Sequence, residues 1–352
     1  MRVGSWEEPG QGVMSDLDIE QHDDLRRYLR ETGRLAPGEA PRCTTLAGGV
    51  SNRTVLLERA NGTAWVIKQA LARLRVKDEW LADPRRVHRE ALGLRWLARV
   101  APPGHLPAFV FEDEDRHLLA MEAVPQPHAN WKAVLLAGGL ESAHAQAFGT
   151  LLGIIHRRGH ELTAETRPVF EDRSFFQTLR LDPYYRSAAA RQPAAAPFYD
   201  RLIADTLAVR LTVVHGDYSP KNVLLRAGRL ILLDHEVIHF GDPAFDLGFA
   251  LTHLLSKAHH LAGQRAAFLE AAETFWTSYC DAAGTLAVAS DLAERGVRHT
   301  LGCLLARVDG RSPLEYLIEP ERVRQRGVVL GLLREPPDRI PQLIAAFGAA
   351  LA

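Results

Sequence analysis

The chain has 352 residues, of which 47% are hydrophobic and 24% are charged. These proportions are ordinary for a globular protein with a sizeable core, and the length allows one large domain or two lobes. The formal net charge is -1, and the arginines are dispersed among acidic residues rather than gathered in a basic tract. The charge distribution therefore argues against a nucleic-acid partner.

The cysteines and the apolar segments indicate the cellular compartment of the protein. Cys43, Cys280 and Cys303 are far apart and lack C-x-x-C spacing, so neither a disulfide framework nor a zinc site is indicated. No apolar run approaches the ~20 residues of a membrane span, and the N-terminus lacks the apolar core of a signal peptide. We expect a cytoplasmic protein without a membrane partner, and Met14 is an alternative to Met1 as its first residue.

Residues 1–35 are predicted to form a loose tail followed by one helix. Ser15 is a good N-cap, Leu25 and Leu29 recur at helical spacing, and Gly33 is a good helix terminator.

The segment 43–57 is typical of two strands joined by a Gly-Gly turn. Gly48 and Gly49 allow the backbone of such a turn to approach a phosphate group, and Ser51 and Asn52 place side-chain donors at its tip. A plain hairpin that binds nothing is the alternative interpretation.

Lys68 stands inside the apolar, alternating strand predicted for Ala64–Ala70. The chain has only five lysines, so one inside an apolar strand is informative. An ammonium group in that position needs an anion. Glu90, on the next predicted helix, is the candidate partner and Glu79 is a rival. A pair between Glu90 and Arg86 on the same helix is a further alternative.

Two more strands are predicted after a Pro-rich turn, joined by an acidic turn at 112–116. The second strand ends near Met121, Glu122 and Val124, and Pro125 marks a domain boundary. We therefore expect an N-lobe over 36–124 and a C-lobe over 125–352. In the C-lobe, helical periodicity predicts helices at 142–158, 198–209, 246–258, 265–282, 286–306 and 322–333.

Two further apolar strands, at Val213-Val214 and at 230–233, each end in a polar cluster. Asp217, Asn222 and Asp234 stand in these clusters. Carboxylate and carboxamide oxygens are the ligands that Mg2+ accepts beside the phosphates of a nucleotide. The pattern indicates phosphoryl transfer.

The motifs H-G-D-x-x-x-x-N at 215–222, D-x-E at 234–236 and G-D-P-x-x-D at 241–246 resemble the aminoglycoside phosphotransferase and choline kinase superfamily. The resemblance implies an α+β, two-lobed protein-kinase-like fold, with a small antiparallel-sheet N-lobe and a larger, mostly helical C-lobe. It also implies ATP and Mg2+ as cofactors and the hydroxyl group of a small molecule as the phosphate acceptor.

By this resemblance, Asp217 is the catalytic residue that orients the acceptor hydroxyl and takes its proton. Asn222 and Asp234 hold Mg2+ against the phosphates, and Glu236 reaches a second metal ion or an ordered water. Asp246 is expected to cap its helix and brace the catalytic loop rather than meet the substrate.

The same resemblance implies a set of nucleotide-binding residues. Lys68, held by Glu90, contacts the α- and β-phosphates under the glycine turn, and the hinge backbone between the lobes binds adenine. Met121 lines the adenine pocket or, alternatively, is plain core. GTP in place of ATP stays open. The expected cofactor-binding residues are Gly48, Gly49, Ser51, Asn52, Lys68, Glu90, Met121, Glu122 and Val124.

The acceptor is less well defined by the sequence. Only a short segment separates Asp234 from the helix near Asp246, which leaves no room for the long activation loop of a protein kinase. The segments 66–76 and 121–140 are similar to methylthioribose kinases. We expect a sugar-like or amino-alcohol metabolite, with an aminoglycoside antibiotic as one alternative and a catalytically silent nucleotide-binding regulatory module as another.

Overall fold

The computed structural model describes residues 17–47, 49, 51–75, 80–288 and 291–351. Met14, Ser15, Gly48 and Glu79, which the sequence analysis singled out, lie outside the described residues. The N-terminal part contains helices α1 (His22–Glu31) and α2 (Arg86–Val100) and strands β1 (Arg42–Thr45), β2 (Asn52–Glu58), β3 (Ala64–Ala70), β4 (Phe109–Asp113) and β5 (Leu118–Glu122).

The five strands form one antiparallel sheet in the order β1-β2-β3-β5-β4. Strand β3 lies at its centre, where Lys68 is opposite Thr54 of β2 and Leu119 of β5. Side chains alternate along a strand, so the sheet has two apolar faces, and each face is covered by one of the two helices. Leu25 of α1 joins the apolar cluster on one face, and Val87 of α2 joins the cluster on the other.

Helix α1 begins at His22, later than the predicted start at Ser15. Leu17 and Ile19 instead lie in non-helical chain that packs on the sheet. Gln69 of β3 binds this backbone, because its Nε2 donates to Leu17 O at 2.6 Å and its Oε1 accepts from Ile19 N at 3.4 Å. A side chain from the sheet thus satisfies polar groups that a helix would have paired internally.

The rest of the chain is mainly helical. Its strands are β6 (Ala129–Asn130), β7 (Thr212–Val214), β8 (Val223–Arg226), β9 (Arg229–Leu232) and β10 (His239–Gly241). Its helices are α3 (Trp131–Leu136), α4 (Ser142–Glu161), α5 (Thr163–Phe170), α6 (Ser174–Phe176), α7 (Ser187–Arg191), α8 (Ala196–Ala208), α9 (Ala244–His260), α10 (Arg265–Ala283), α11 (Thr285–Val288), α12 (Leu292–Asp309), α13 (Glu319–Leu332) and α14 (Ile340–Ala350). A π-helical segment covers Gln177–Arg186, and single 3-10 turns cover Pro193–Ala195, Pro220–Asn222 and Ala262–Gln264.

Helices α4 and α10 cross at close range in the centre of the helical part. A Cβ atom added at Gly153 of α4 would lie 2.7 Å from Tyr279 O of α10, so the two backbones approach without an intervening side chain. Phe148 of α4 and Phe275 of α10 pack beside this crossing, with ring centroids 5.4 Å apart.

The C-terminal helices differ from the prediction in two places. The helix expected over 286–306 is divided, since α11 ends at Val288 and α12 begins at Leu292. Helix α14 was not predicted at all, although its Ile340, Leu343 and Phe347 are fully buried in the core.

The predicted α+β architecture, a small antiparallel sheet followed by a larger helical part, is confirmed. The three cysteines are free thiols. Within the described residues, no helix is long and apolar enough to cross a membrane.

Candidate active site

Short strands deliver the predicted polar clusters to one place. The loop 215–222 connects β7 to β8, and Asp234 follows two residues after β9 ends. Leu233 N donates to Asn222 O at 2.9 Å, which joins the two clusters through the backbone. Strands β8 and β9 are antiparallel neighbours, so the end of one lies beside the start of the other.

The loop is held from below by Asp246 of α9, which is fully buried. Its carboxylate accepts from His215 N at 2.7 Å and from Gly216 N at 2.8 Å, and its Oδ2 lies 3.2 Å from His156 Nε2. Burial opposes ionisation of Asp246, but His156, His215 and these amides lower its pKa overall. These hydrogen bonds are the contacts that the expected bracing role of Asp246 requires. The expected capping role differs from the structure, because no side chain caps the first turn of α9.

Gly216 has a backbone conformation that few residues adopt. Its φ is +78°, and a Cβ atom added there would lie 2.9 Å from Val237 Cγ2 and 3.0 Å from Val237 O. Glycine is therefore required for the turn that points the next side chain, Asp217, into the cleft.

Asp217 is bound on one oxygen by two donors. Its Oδ2 lies 2.9 Å from Arg180 Nη2 and 2.8 Å from Asn222 Nδ2. Arg180 also donates from Nε to Gly216 O at 2.9 Å, so the guanidinium spans the loop and the carboxylate. Among the described residues, no donor binds Oδ1 of Asp217, and Asp217 lines the cavity described below.

Lys68 and Glu90 form a buried ion pair, with Nζ 2.6 Å from Oε1. Lys68 Nζ is also 3.6 Å from Asp234 Oδ1. Burial raises the pKa of Glu90 to about 7, although Lys68 opposes this shift. Arg86, the alternative partner of Glu90, instead places its Nε 3.2 Å from Glu236 Oε2.

The second polar cluster fits a bound cation. Asp234 has a left-handed φ of 67°, and its buried Oδ1 has no hydrogen-bond partner among the residues that the structure describes. Burial opposes ionisation of Asp234, but Lys68, Lys221 and Arg180 lower its pKa to about 2. Burial and the nearby Asp234 raise the pKa of Glu236. A divalent cation would neutralise both carboxylates.

Asn222 completes this donor set. Its Nδ2 donates to Asp217, so its carbonyl Oδ1 is the atom left to accept. In the described part of the chain, no group of three or more His, Cys, Asp or Glu side chains is placed to hold a metal ion. The donor set here is two carboxylates and one carboxamide oxygen, and Mg2+ usually takes one or two carboxylates and completes its shell with phosphates and water.

Most of these side chains face one cavity of about 710 Å³, whereas Asn222 and Glu90 are not part of its lining. Its walls include Asp217, Asp234, Glu236 and Lys68 together with the strand tip at Gly49, Ser51 and Asn52. The lining also includes Trp80 of the N-terminal part, and it continues to the helical part with Lys132, Tyr184, His253, Arg307 and Glu315.

The hinge residues lie apart from this cavity. Met121 is 4% exposed and packs with Val87, Ala91 and Leu94 of α2, as its alternative interpretation as plain core implies, and its place beside adenine stays a prediction. Alternation along β5 turns Met121 toward α2. Glu122 is exposed, and Val124 is half-buried.

Several cavity residues were missed by the sequence analysis. Arg180 lies in the irregular π-helical segment, where no periodicity marks it. Lys132 is one of only five lysines in the chain, and the rarity of this residue type could have marked it as a candidate site residue. Arg307 interrupts an apolar run of α12, which was a second signal, since a charge among buried side chains needs a reason.

The fold is that of a two-lobed, kinase-like protein, and most of the predicted polar residues line one cleft. A model of the phosphotransferase enzyme family matches residues 42–289, and the chain belongs to that family. Methylthioribose kinases from two Pectobacterium species, P. carotovorum subsp. carotovorum and P. atrosepticum, are 25% and 26% identical to it over 273 residues. These matches cover 68% of this chain and 66% of each relative, slightly less than two thirds of the relatives' length.

Solved structures of the same fold include a choline/ethanolamine kinase family protein from Mesorhizobium loti, with a TM-score of 0.56 at 15% identity, over 94% of this chain and 98% of the other. The amicoumacin kinase hAmiN has a TM-score of 0.56 at 15% identity, over 92% and 98% of the two chains. At this identity the likeness is one of fold.

Proposed function

We propose that the protein is an ATP- and Mg2+-dependent phosphotransferase that moves the γ-phosphate to a hydroxyl group of a small molecule. The observation that carries the proposal is that Lys68, Asp217, Asp234 and Glu236 line one cavity. Within the family to which the chain belongs, this set supports phosphoryl transfer by positioning and charge neutralisation.

The roles proposed for the residues follow from their contacts. Lys68, oriented by Glu90, binds the nucleotide phosphates, and Asp234, Asn222 and Glu236 hold Mg2+, which neutralises phosphate charge. The strand tip at Gly49, Ser51 and Asn52 covers the phosphates, and the neighbouring Gly48 is assigned there from the sequence. The backbone after β5, at Glu122 and Val124, binds adenine.

The acceptor hydroxyl is bound at Asp217. Its Oδ2 is held by Arg180 and Asn222, so Oδ1 accepts the hydrogen bond of the acceptor and then its proton. The acceptor is a sugar-like or amino-alcohol metabolite rather than an aminoglycoside. Basic side chains outnumber carboxylates among the described residues that line the cavity, and this balance of charge disfavours a polycation there. The basic residues are Lys68, Lys132, Arg180, Lys221, Arg307 and Arg311, and the acidic ones are Asp217, Asp234, Glu236 and Glu315.

We retain two further expectations as part of this proposal. The first is the division of the chain into 1–35, an N-lobe at 36–124 and a C-lobe at 125–352, which is supported by the end of β5 at Glu122 and the start of α3 at Trp131. The second is the cytoplasmic location, where ATP is supplied.

The test is nucleotide binding followed by turnover. Mg-ATP should raise the melting temperature, because a ligand that binds only the folded state stabilises it. ADP release should then be screened with sugars, amino alcohols and aminoglycosides, with Asp217→Asn as the inactive control. Absence of any shift at millimolar Mg-ATP, with and without acceptors, would count against a kinase. A shift with no Asp217-dependent turnover would favour the silent nucleotide-binding module.

A further inference from the structure

Two buried basic side chains lie where the helical part forms the cavity wall. Arg307 of α12 lines the cavity and is 9% exposed. Lys257 of α9 is fully buried, and the repulsion between the two charges contributes to lowering its pKa. The neighbouring lysine, Lys132, has a partner of its own, since it is ion-paired with Glu315.

In the part of the chain that the structure describes, the hydrogen bonds of Arg307 all go to neutral groups, and the carboxylate of Glu315, which is ion-paired with Lys132, feels its charge without pairing with it. Arg307 Nη1 donates to Tyr184 OH at 3.0 Å and to Ser312 O and Oγ at 2.6 and 3.0 Å. The buried Nε of Arg307 has no hydrogen-bond partner within the described ranges. No carboxylate lies within ion-pairing distance of it among residues 17–47, 49, 51–75, 80–288 and 291–351. A desolvated guanidinium without a counter-ion is costly unless an anion arrives.

Lys257, which is buried behind the cavity lining, has surroundings similar to those of Arg307. Its Nζ donates to His253 O at 3.2 Å and lies 5.3 Å from the centre of the Tyr316 ring. No carboxylate in the described part of the chain pairs with it. His253, which also lines the cavity, is kept neutral by burial and by the surrounding positive charges, which hold its pKa well below its usual value. The region is therefore positive and desolvated.

A purely structural role accounts for only part of this arrangement. Through Nη1, Arg307 fixes the loop at Ser312, and a neutral donor would do the same at lower cost. A loop-fixing role explains neither why Arg307 has no ion-pair partner among the described residues nor why a second buried basic side chain, Lys257, lies nearby on a different helix.

We propose that the acceptor carries an anionic group, a carboxylate or a phosphate, which binds at Arg307 with Lys257 behind it while the acceptor's hydroxyl lies at Asp217. This inference rests on the proposed function and specifies its substrate class. Arg307 is suited to the task, because a guanidinium binds carboxylate and phosphate with two parallel hydrogen bonds.

The first experiment compares matched acceptors in an ADP-release assay. Gluconate is paired with glucose and glucosamine, and glycerol 3-phosphate with glycerol, so that the two anion types are separated. The anionic member should have a kcat/KM higher by roughly ten- to hundred-fold, the value of a charge-assisted hydrogen bond. Preferential turnover of the neutral or cationic members would overturn the inference.

The second experiment identifies the residue. Arg307→Met should raise KM for the anionic acceptor by roughly ten- to hundred-fold and leave Mg-ATP affinity unchanged, with Arg307→Lys in between. Arg298→Met on the same helix is the matched control, since Arg298 is ion-paired with Glu294 outside the cavity lining. An equal KM for anionic acceptors in Arg307→Met and wild type would contradict the proposal.

A binding measurement decides the question even if no acceptor in the panel is turned over. Succinate and inorganic phosphate are titrated into the protein with Mg-ADP at constant ionic strength, and the melting temperature is recorded. The expected shift disappears in Arg307→Met, and a shift that is absent or independent of Arg307 overturns the anion site. Arg307-dependent binding without any nucleotide binding would instead refute the proposed kinase function alone.

Discussion

Arg180 Nη2 lies 2.9 Å from Asp217 Oδ2, and the same guanidinium donates to the carbonyl of Gly216, so one arginine fixes both the side chain and the backbone of the proposed catalytic residue. Arg180 is 7% exposed and comes from a π-helical segment outside the sequence motifs. Its geometry predicts a positioning role, because Oδ1 is aimed at the acceptor only while Oδ2 is held.

Arg180→Met should therefore reduce kcat by roughly ten- to hundred-fold, the cost of a small misplacement of a reacting group. Mg-ATP affinity, measured by calorimetry, should change much less, since Arg180 touches none of the proposed metal ligands. Arg186→Met, in the same segment but half-exposed, is the control. A loss confined to nucleotide affinity would show that Arg180 serves the phosphates instead.

Asp217→Asn should keep the shape of the site and remove the base, so turnover should fall by roughly a hundred- to ten-thousand-fold. Asp234→Asn removes a proposed metal ligand, so it should weaken Mg-dependent nucleotide binding as well as turnover. Calorimetric titration of both variants with Mg-ATP separates the two roles. Equal losses of Mg-ATP binding would mean that Asp217 serves the metal and that another group is the base.

Lys68→Met should reduce kcat/KM for ATP by roughly a hundred-fold, because a preorganised donor to the phosphates is lost. Glu90→Gln should act in the same direction and more mildly, since the lysine keeps its charge but loses its 2.6 Å partner. Glu165→Gln, in an exposed ion pair with Arg99, is the control and should behave as wild type. Wild-type kinetics in Glu90→Gln would leave this ion pair a purely structural role.

The lowered pKa of Lys257 predicts an unusual dependence of the free energy of unfolding on pH. Burial, together with Lys132 and Arg307, lowers its pKa from 10.5 to about 7, while Glu315 acts weakly in the opposite direction. The unfolded chain therefore binds a proton that the folded state has released between these two pH values. The native state gains stability as the pH rises through this window, by roughly 3 kcal/mol from pH 7 to 10.

Lys257→Met should abolish this gain and be more stable than wild type at pH 7. Urea unfolding at several pH values measures the difference, with Lys221→Met, at an exposed position, as the control. Parallel stability curves for wild type and Lys257→Met would show that Lys257 is charged at neutral pH in the folded protein.

The strands and their polar ends were predictable because the information is local. Alternation marked β3 with the bounds Ala64–Ala70, and apolar pairs followed by polar residues marked the ends of β7 and β9. The motifs therefore located Asp217, Asn222 and Asp234 on loops that share one edge. Asp246 was also recognised, because its position in the first turn of a helix is a local property.

Other features depended on how distant elements pack. The sequence offered Lys68 more than one carboxylate partner, and only the orientation of α2 on the sheet selected Glu90. Alternation along β5 shows which side chains share a face of the sheet with Met121. The sequence does not show which of the two faces α2 covers, and the packing of α2 decided that Met121 lies against it.

The acceptor end of the cavity was decided by tertiary structure alone. Arg180 and Arg307 are 127 positions apart, and they line one cavity because α12 packs against the π-helical segment and α9. No periodic pattern encodes such a meeting. The sequence by itself determined the chemistry at the strand ends, where neighbours along the chain are neighbours in space. The packing of helices decided which charges surround the substrate, because a buried charge is defined by what desolvates it and by whether a counter-ion is near.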